Sequence, residues 1–171
     1  MRLDFAIVAA FLPTEELAPL AVAADELGYE SLSLADHVVD LEEVATPYPY
    51  EADGTRRWDA ETEWPDPWVV VGALAGVTER LRFFTSVYVP ALRSPFQVAK
   101  SVGTAAVMSG DRVSLGIGVG WCREEFELLD ADFAGRGSRT DEALALLRQL
   151  WAPGWTEFAG GSLASTSVPL G

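Results

Sequence analysis

A chain of 171 residues that is 49% hydrophobic is long enough for one domain with a sizeable core and too apolar to be disordered. Its 12 basic and 26 acidic residues leave a net charge of −14, which repels phosphate backbones and anionic membrane surfaces and argues against nucleic acid or membrane as a partner. One cysteine, Cys122, excludes an internal disulfide, and one histidine, His37, without a cysteine cluster argues against a metal site; with no signal-like or membrane-spanning apolar run, the expectation is a cytoplasmic protein.

Taken in order, Leu3 to Ala9 is apolar and partly β-branched and reads as a first strand. Thr14, just after Pro13, is a candidate N-cap for a helix from Glu15 to Leu27. Its apolar face comprises Leu17, Leu20, Ala21, Ala24 and Leu27, and Gly28 stops it. Tyr29 to Leu34 then reads as a second strand, and strand, helix, strand with short joints is the pattern of a parallel sheet. From residue 38 to 66 no period holds, and the stretch carries Trp58, Trp64 and several tyrosines and prolines. A loop that long inside one domain is usually functional, so it is expected to cover a binding site, although a flap packed on its own domain would use the same residues. Trp68 to Gly76 is a second helix, Leu81 to Val89 a third strand, and Ser94 caps a helix from Pro95 to Met108. Arg112 to Ile117 is a fourth strand and Trp121 to Leu129 a helix. Ser138 or Thr140 caps a last helix with Leu144, Leu147, Leu150 and Trp151 on its apolar face. Residues 1–151 thus make four strand-helix units, and the glycine-, serine- and proline-containing stretch 152–171 reads as a loop or short hairpin tail.

Gly116, Gly118 and Gly120 alternate where the fourth strand ends, which leaves one side of the backbone without side chains, so that a flat cofactor can lie against it; a tight strand-to-helix turn would ask for the same glycines. The dinucleotide fingerprint is not met, because its last glycine position is Trp121. Asp36-His37 follows the second strand, at the end of the sheet where barrel enzymes place catalytic groups, and histidine is the side chain most ready to move a proton near neutral pH. A structural histidine is the plainer alternative. Thr85 to Pro90 reads as an ordinary strand end with small hydroxyls, and Arg93 and Lys100 as caps or solvated charges of the third helix. Trp121 either stacks on a ring or anchors its helix, Glu124 and Glu125 suit that helix's positive end, and Cys122 has only Arg123 beside it to argue for a reactive thiolate.

These residues resemble the bacterial luciferase-like monooxygenase family, particularly its deazaflavin-dependent branch. The matches run in order through Asp4-Phe5, Glu26-Leu27-Gly28-Tyr29, Ala35-Asp36-His37, Arg80-Leu81-Arg82, Thr85-Ser86-Val87, Ser109 to Val113, Leu115 to Trp121, and Arg136-Gly137 before Asp141-Glu142. The resemblance implies a (β/α)8 barrel of which the chain holds about the first four units, since a whole barrel takes about 250 residues. It implies an oxidoreductase that passes a hydride between coenzyme F420 and a small organic substrate. The rivals are an FMN-dependent monooxygenase and a non-catalytic half-barrel. By resemblance, His37 is the catalytic proton carrier and Asp36 contacts the deazaflavin. Ser86-Val87 is a non-prolyl cis peptide backing the ring, and Val119, Gly120 and Trp121 line its edge. The sugar-phosphate dehydrogenases of the family carry a glutamate where this chain has Trp121. A half-barrel is also expected to act as a homodimer or to need a separate C-terminal half.

Overall fold

A computed structural model describes residues 3–155 and 157. Four strands, β1 (Ala6–Val8), β2 (Ser31–Leu34), β3 (Arg82–Thr85) and β4 (Val113–Ser114), form one parallel sheet in the order β1-β2-β3-β4. Register runs straight across it, Ile7 beside Leu32, Leu32 beside Phe83 and Phe83 beside Val113. The helices are α1 (Leu17–Leu27), α2 (Pro67–Ala75), α3 (Pro95–Ser109), α4 (Arg123–Leu128) and α5 (Arg136–Leu150). Parallel neighbours in sequence order, joined by helical crossovers, are four consecutive units of a (β/α)8 barrel, which is the architecture expected. Among the described residues no helix is long and apolar enough to cross a membrane.

The strands are shorter than their apolar runs. β1 keeps three of the seven expected residues, and β4 two of six. β3 stops at Thr85, the Ser86–Val87 peptide is cis, and pairing resumes only as a single bridge between Tyr88 and Ile117. A 3-10 turn, Pro90–Leu92, then leads to α3, where Ser94 holds the cap position without a side-chain bond.

Helix boundaries show what local polar chemistry adds to periodicity. Thr14 does not cap α1: it sits in a 3-10 turn, and its N–H donates to Glu63 Oε2 at 2.8 Å. Gly28 ends α1 as expected, with φ of 79°. Leu27 points outward, 77% exposed, and Asp25 is buried in its stead. The Asp25 carboxylate accepts N–H groups from Glu79 (2.9 Å), Arg80 (2.9 Å) and Leu81 (2.6 Å), which fixes the entry into β3. Burial alone would raise this carboxyl, but the three amides and the Arg80 charge together hold it below its ordinary value. α2 begins with an Asx cap missing from the sequence reading, Asp66 Oδ1 accepting from Trp68 and Val69. α5 starts at Arg136 behind Gly135, two residues or more before the caps expected, and Ser138 and Thr140 bond back to the carbonyls of Gly135 and Arg136 from inside the helix. Its buried face is Thr140, Ala143, Leu146, Leu147 and Leu150, with Leu144 half-buried. Trp151 is 42% exposed, and its indole N–H donates to the Ala99 carbonyl of α3 at 3.1 Å.

The main core lies between sheet and helices and includes Leu17, Leu32, Leu74, Leu81, Phe83, Val98 and Leu147. A second cluster, Val89, Ala91, Leu92 and Phe126, seats α4 near the strand ends. At the other end of the sheet the Arg112 guanidinium donates to the carbonyls of Ala75 (3.0 Å), Leu81 (2.9 Å) and Ser109 (2.7 Å) and to Thr78 Oγ1 (2.9 Å), tying α2, β3 and α3 together. Residues 152–154 form a turn after α5; of the expected tail, 156 and 158–171 lie outside the described residues.

Candidate functional site

The segments that follow the four strands converge. Val8, Ala10 and Phe11, Ala35 and His37, Ser86, Val87 and Val89, Gly118 to Trp121, and Glu125 contribute the walls of a cavity of about 320 Å³, and the 38–66 loop adds Tyr48, Tyr50, Arg57, Trp58 and Trp64. The loop is therefore both a packed flap and a cavity wall. It is braced from within, because Arg56 donates to Asp40 Oδ1 (3.0 Å) and the Leu41 (2.7 Å) and Glu42 (2.8 Å) carbonyls, while Trp58 Nε1 donates to Asp40 Oδ2 at 2.9 Å.

The glycines of the fourth strand end have a different reason from the one expected. A Cβ on Gly116 would stand 2.0 Å from the Thr85 carbonyl oxygen, and one on Gly118 2.5 Å from Val87 Cγ2. Gly120 has φ of 81°, and a Cβ there would meet the Phe126 ring at 2.7 Å. Their bare sides are thus filled by the neighbouring strand and α4, and close packing, rather than an open seat, demands glycine. What faces the cavity is the exposed apolar surface of Val8, Val87 and Val119.

His37 is gripped by a residue that, in the sequence, suits the positive end of its helix. Glu125, on the first turn of α4 and 3% exposed, takes His37 Nδ1 on Oε2 at 3.0 Å and accepts the Val38 and Val39 N–H groups on Oε1 at 2.7 and 3.2 Å. A carboxylate accepts, so Nδ1 carries a ring proton, and in the neutral imidazole Nε2 is then an acceptor open to another partner. Glu124 does the same for the loop, its Oε1 accepting the Ala45 and Thr46 N–H groups at 2.9 Å each. No local signal reveals this pairing across 88 positions; the usable hint is that a helix opening directly after a strand end points its first turn at the face where His37 stands.

Asp36, expected at the cofactor ring, stands behind the cavity wall. Arg93 holds it with a two-pronged pair at 2.7 and 2.8 Å, and the Val89 N–H donates to it at 3.2 Å. Burial pushes the Asp36 carboxyl up, and the guanidinium pulls against that shift. Arg93 is therefore an internal partner and not a solvated cap; its guanidinium also lies 4.4 Å from the Tyr88 ring centre. Burial raises the Tyr88 hydroxyl to about 12. Cys122 is buried, and first its burial and then Glu124 and Glu125 push its thiol up to about 11, which removes the thiolate reading at neutral pH.

Aromatic rings close around His37. Trp64 lies 4.6 Å from it, Trp58 5.6 Å and Trp121 6.2 Å, centre to centre, and Tyr48 packs edge-on to Trp121 at 5.2 Å. Of the expected site residues, His37, Ser86, Val87, Val119, Gly120 and Trp121 all line this one cavity, and Asp36 does not. A larger hollow of about 470 Å³ lies on the outside between α3 and α5; among the described residues Lys100 is its one ionisable lining residue, and no histidine or carboxylate joins it. Among the described residues no group of three or more histidines, cysteines and acids is placed to hold a metal ion.

Comparison with known proteins bears on this geometry. The chain is 38% identical over 142 residues to the uncharacterized protein Rv0940c of Mycobacterium tuberculosis, covering 83% of this chain and 49% of that one. It is 34% identical over 140 residues to an F420-dependent glucose-6-phosphate dehydrogenase of Microbacterium testaceum, covering 80% and 37%. In fold it matches the crystal structure of monooxygenase RslO1 from Streptomyces bottropensis with a TM-score of 0.78 at 23% identity, over 97% of this chain and 48% of that one. The chain thus spans half or less of the length of these relatives, in line with four of eight barrel units. Residues 9–167 match the family described as luciferase-like monooxygenase, and the chain belongs to that family.

Proposed function

We propose that this chain forms the part of an oxidoreductase site that seats the ring of coenzyme F420 and handles the proton while a hydride passes between that ring and an organic substrate. The observation that carries the reading is the His37–Glu125 pair opening onto a cavity at the strand ends. The wall fits a flat ring: Val8, Val87 and Val119 are 68%, 43% and 45% exposed, and apolar side chains left uncovered inside a concave site are surface that a ring would cover. Ser86 and Val87 would back it, with Val119, Gly120 and Trp121 along its edge. When bound, the deazaflavin supplies a two-electron centre that accepts or gives a hydride. His37 Nε2 takes the proton from a substrate oxygen in one direction and returns it in the other, and Glu125 stabilises the imidazolium through Nδ1–H. Asp36 acts through others, holding the Val89 amide and Arg93 behind the wall. An FMN ring would meet the same wall; the F420-dependent relative at 34% identity favours the deazaflavin.

The test is His37→Ala in a preparation that turns over. kcat is expected to fall by about 10²- to 10⁴-fold, while coenzyme affinity by fluorescence titration stays within about tenfold, because an acid/base and not a ring contact is lost. An unchanged kcat would make His37 structural.

A further inference from the structure

Among the described residues the charged side chains around the cavity already have partners. Arg57, the one cation among those lining it, pairs with Glu51 and donates to the Tyr50 carbonyl at 3.3 Å. The Glu125 carboxylate is committed to His37, Val38 and Val39, and Arg93 to Asp36 behind the wall. A phosphate or carboxylate entering here would lose water and meet no free cation, within a chain whose net charge is −14. A quaternary ammonium would need open ring faces, yet the rings present edges to one another, Tyr48 with Trp121 at 74°, Trp58 with Trp64 at 76° and His37 with Trp64 at 73°. Polar atoms left over include His37 Nε2, an acceptor in the neutral imidazole, and the buried Trp64 N–H, a donor with no partner, and a hydroxyl, which both donates and accepts, matches that pair.

We infer that the group bound beside His37 is a flat, uncharged, apolar alcohol, cyclic or aromatic, held among Trp58, Trp64, Trp121 and Tyr48 with its hydroxyl donating to Nε2. This rests on the oxidoreductase reading for its meaning as substrate, but the recognition itself belongs to this chain's own residues and is read without coenzyme.

Intrinsic tryptophan fluorescence of the 171-residue chain, titrated with benzyl alcohol, benzoate, phenyl phosphate and phenyltrimethylammonium, tests it. Benzyl alcohol is expected to saturate the signal at least about tenfold more tightly than any of the three ions. Tyr50 lines the cavity and is 70% exposed, so Tyr50→Lys is tolerated by the fold and is expected to shift preference toward phenyl phosphate by about tenfold. A wild-type preference for phenyl phosphate, benzoate or the ammonium, or no saturable signal from any ligand, overturns the inference. Coenzyme F420 titrated separately into the same sample reports on the coenzyme reading, so the two fail independently.

Discussion

Glu125 divides one carboxylate between a side chain and two backbone amides, and the division has separable consequences. Glu125→Gln keeps the shape and an acceptor for Val38 and Val39 but can present an N–H₂ to His37 Nδ1, which favours the tautomer with its proton on Nε2. The expected result is a kcat lowered by about 10- to 100-fold and a displaced basic or acidic limb in the kcat–pH profile, with coenzyme affinity nearly unchanged. A purely structural glutamate would leave that profile in place. His37 was visible in the sequence because a titratable residue directly after a strand is conspicuous. Its partner was not, because in a strand-turn-helix segment an acid in the first helical turn is already explained by the dipole. Asp36 and Arg93 were legible one at a time and illegible as a pair, since nothing in a linear reading places residue 93 against residue 36.

At the scale of elements, β-branched runs, glycine stops and 3.6-residue stripes located every strand and helix, while the ends were decided by polar bonds between distant segments. α1 shows this best: periodicity puts Leu27 inward, but Asp25 goes inward because three amides at the start of β3 need an acceptor. Asp25→Asn removes the charge and one of the two oxygens, and is expected to cost about 1–3 kcal/mol of unfolding free energy in denaturant titrations near neutral pH. The sign with pH follows from the lowered carboxyl: the unfolded chain binds the proton more readily, so the wild-type advantage is fully present above the ordinary aspartate value of 3.8 and is lost as pH falls through the lower folded value. A difference between wild type and variant that stayed constant down to pH 2 would remove Asp25 from this role. The 38–66 loop was legible as a loop and as functional by its length, but its bracing by Arg56, Asp40, Glu124 and Glu125 was not, since each bond joins residues that no periodicity relates.

At the scale of the whole molecule, four parallel strands leave β1 and β4 as edges, and Leu3, Phe5 and Val8 along the first are 64%, 64% and 68% exposed. A closed barrel has no such edges. The 171-residue polypeptide on its own is therefore expected to pair, with a second copy or with a separately supplied second half, and light scattering during size exclusion would find species heavier than 18.4 kDa. A stable monomer that binds coenzyme F420 with micromolar affinity and turns over would overturn that expectation. Whether the strand ends around His37 seat the coenzyme ring is decided by a crystal structure of the chain saturated with coenzyme F420. The ring is expected against Ser86-Val87 and Gly118 to Trp121, on the same side of the sheet as His37 Nε2. A ring at the opposite strand ends beside Arg112, or in the hollow between α3 and α5, would contradict it.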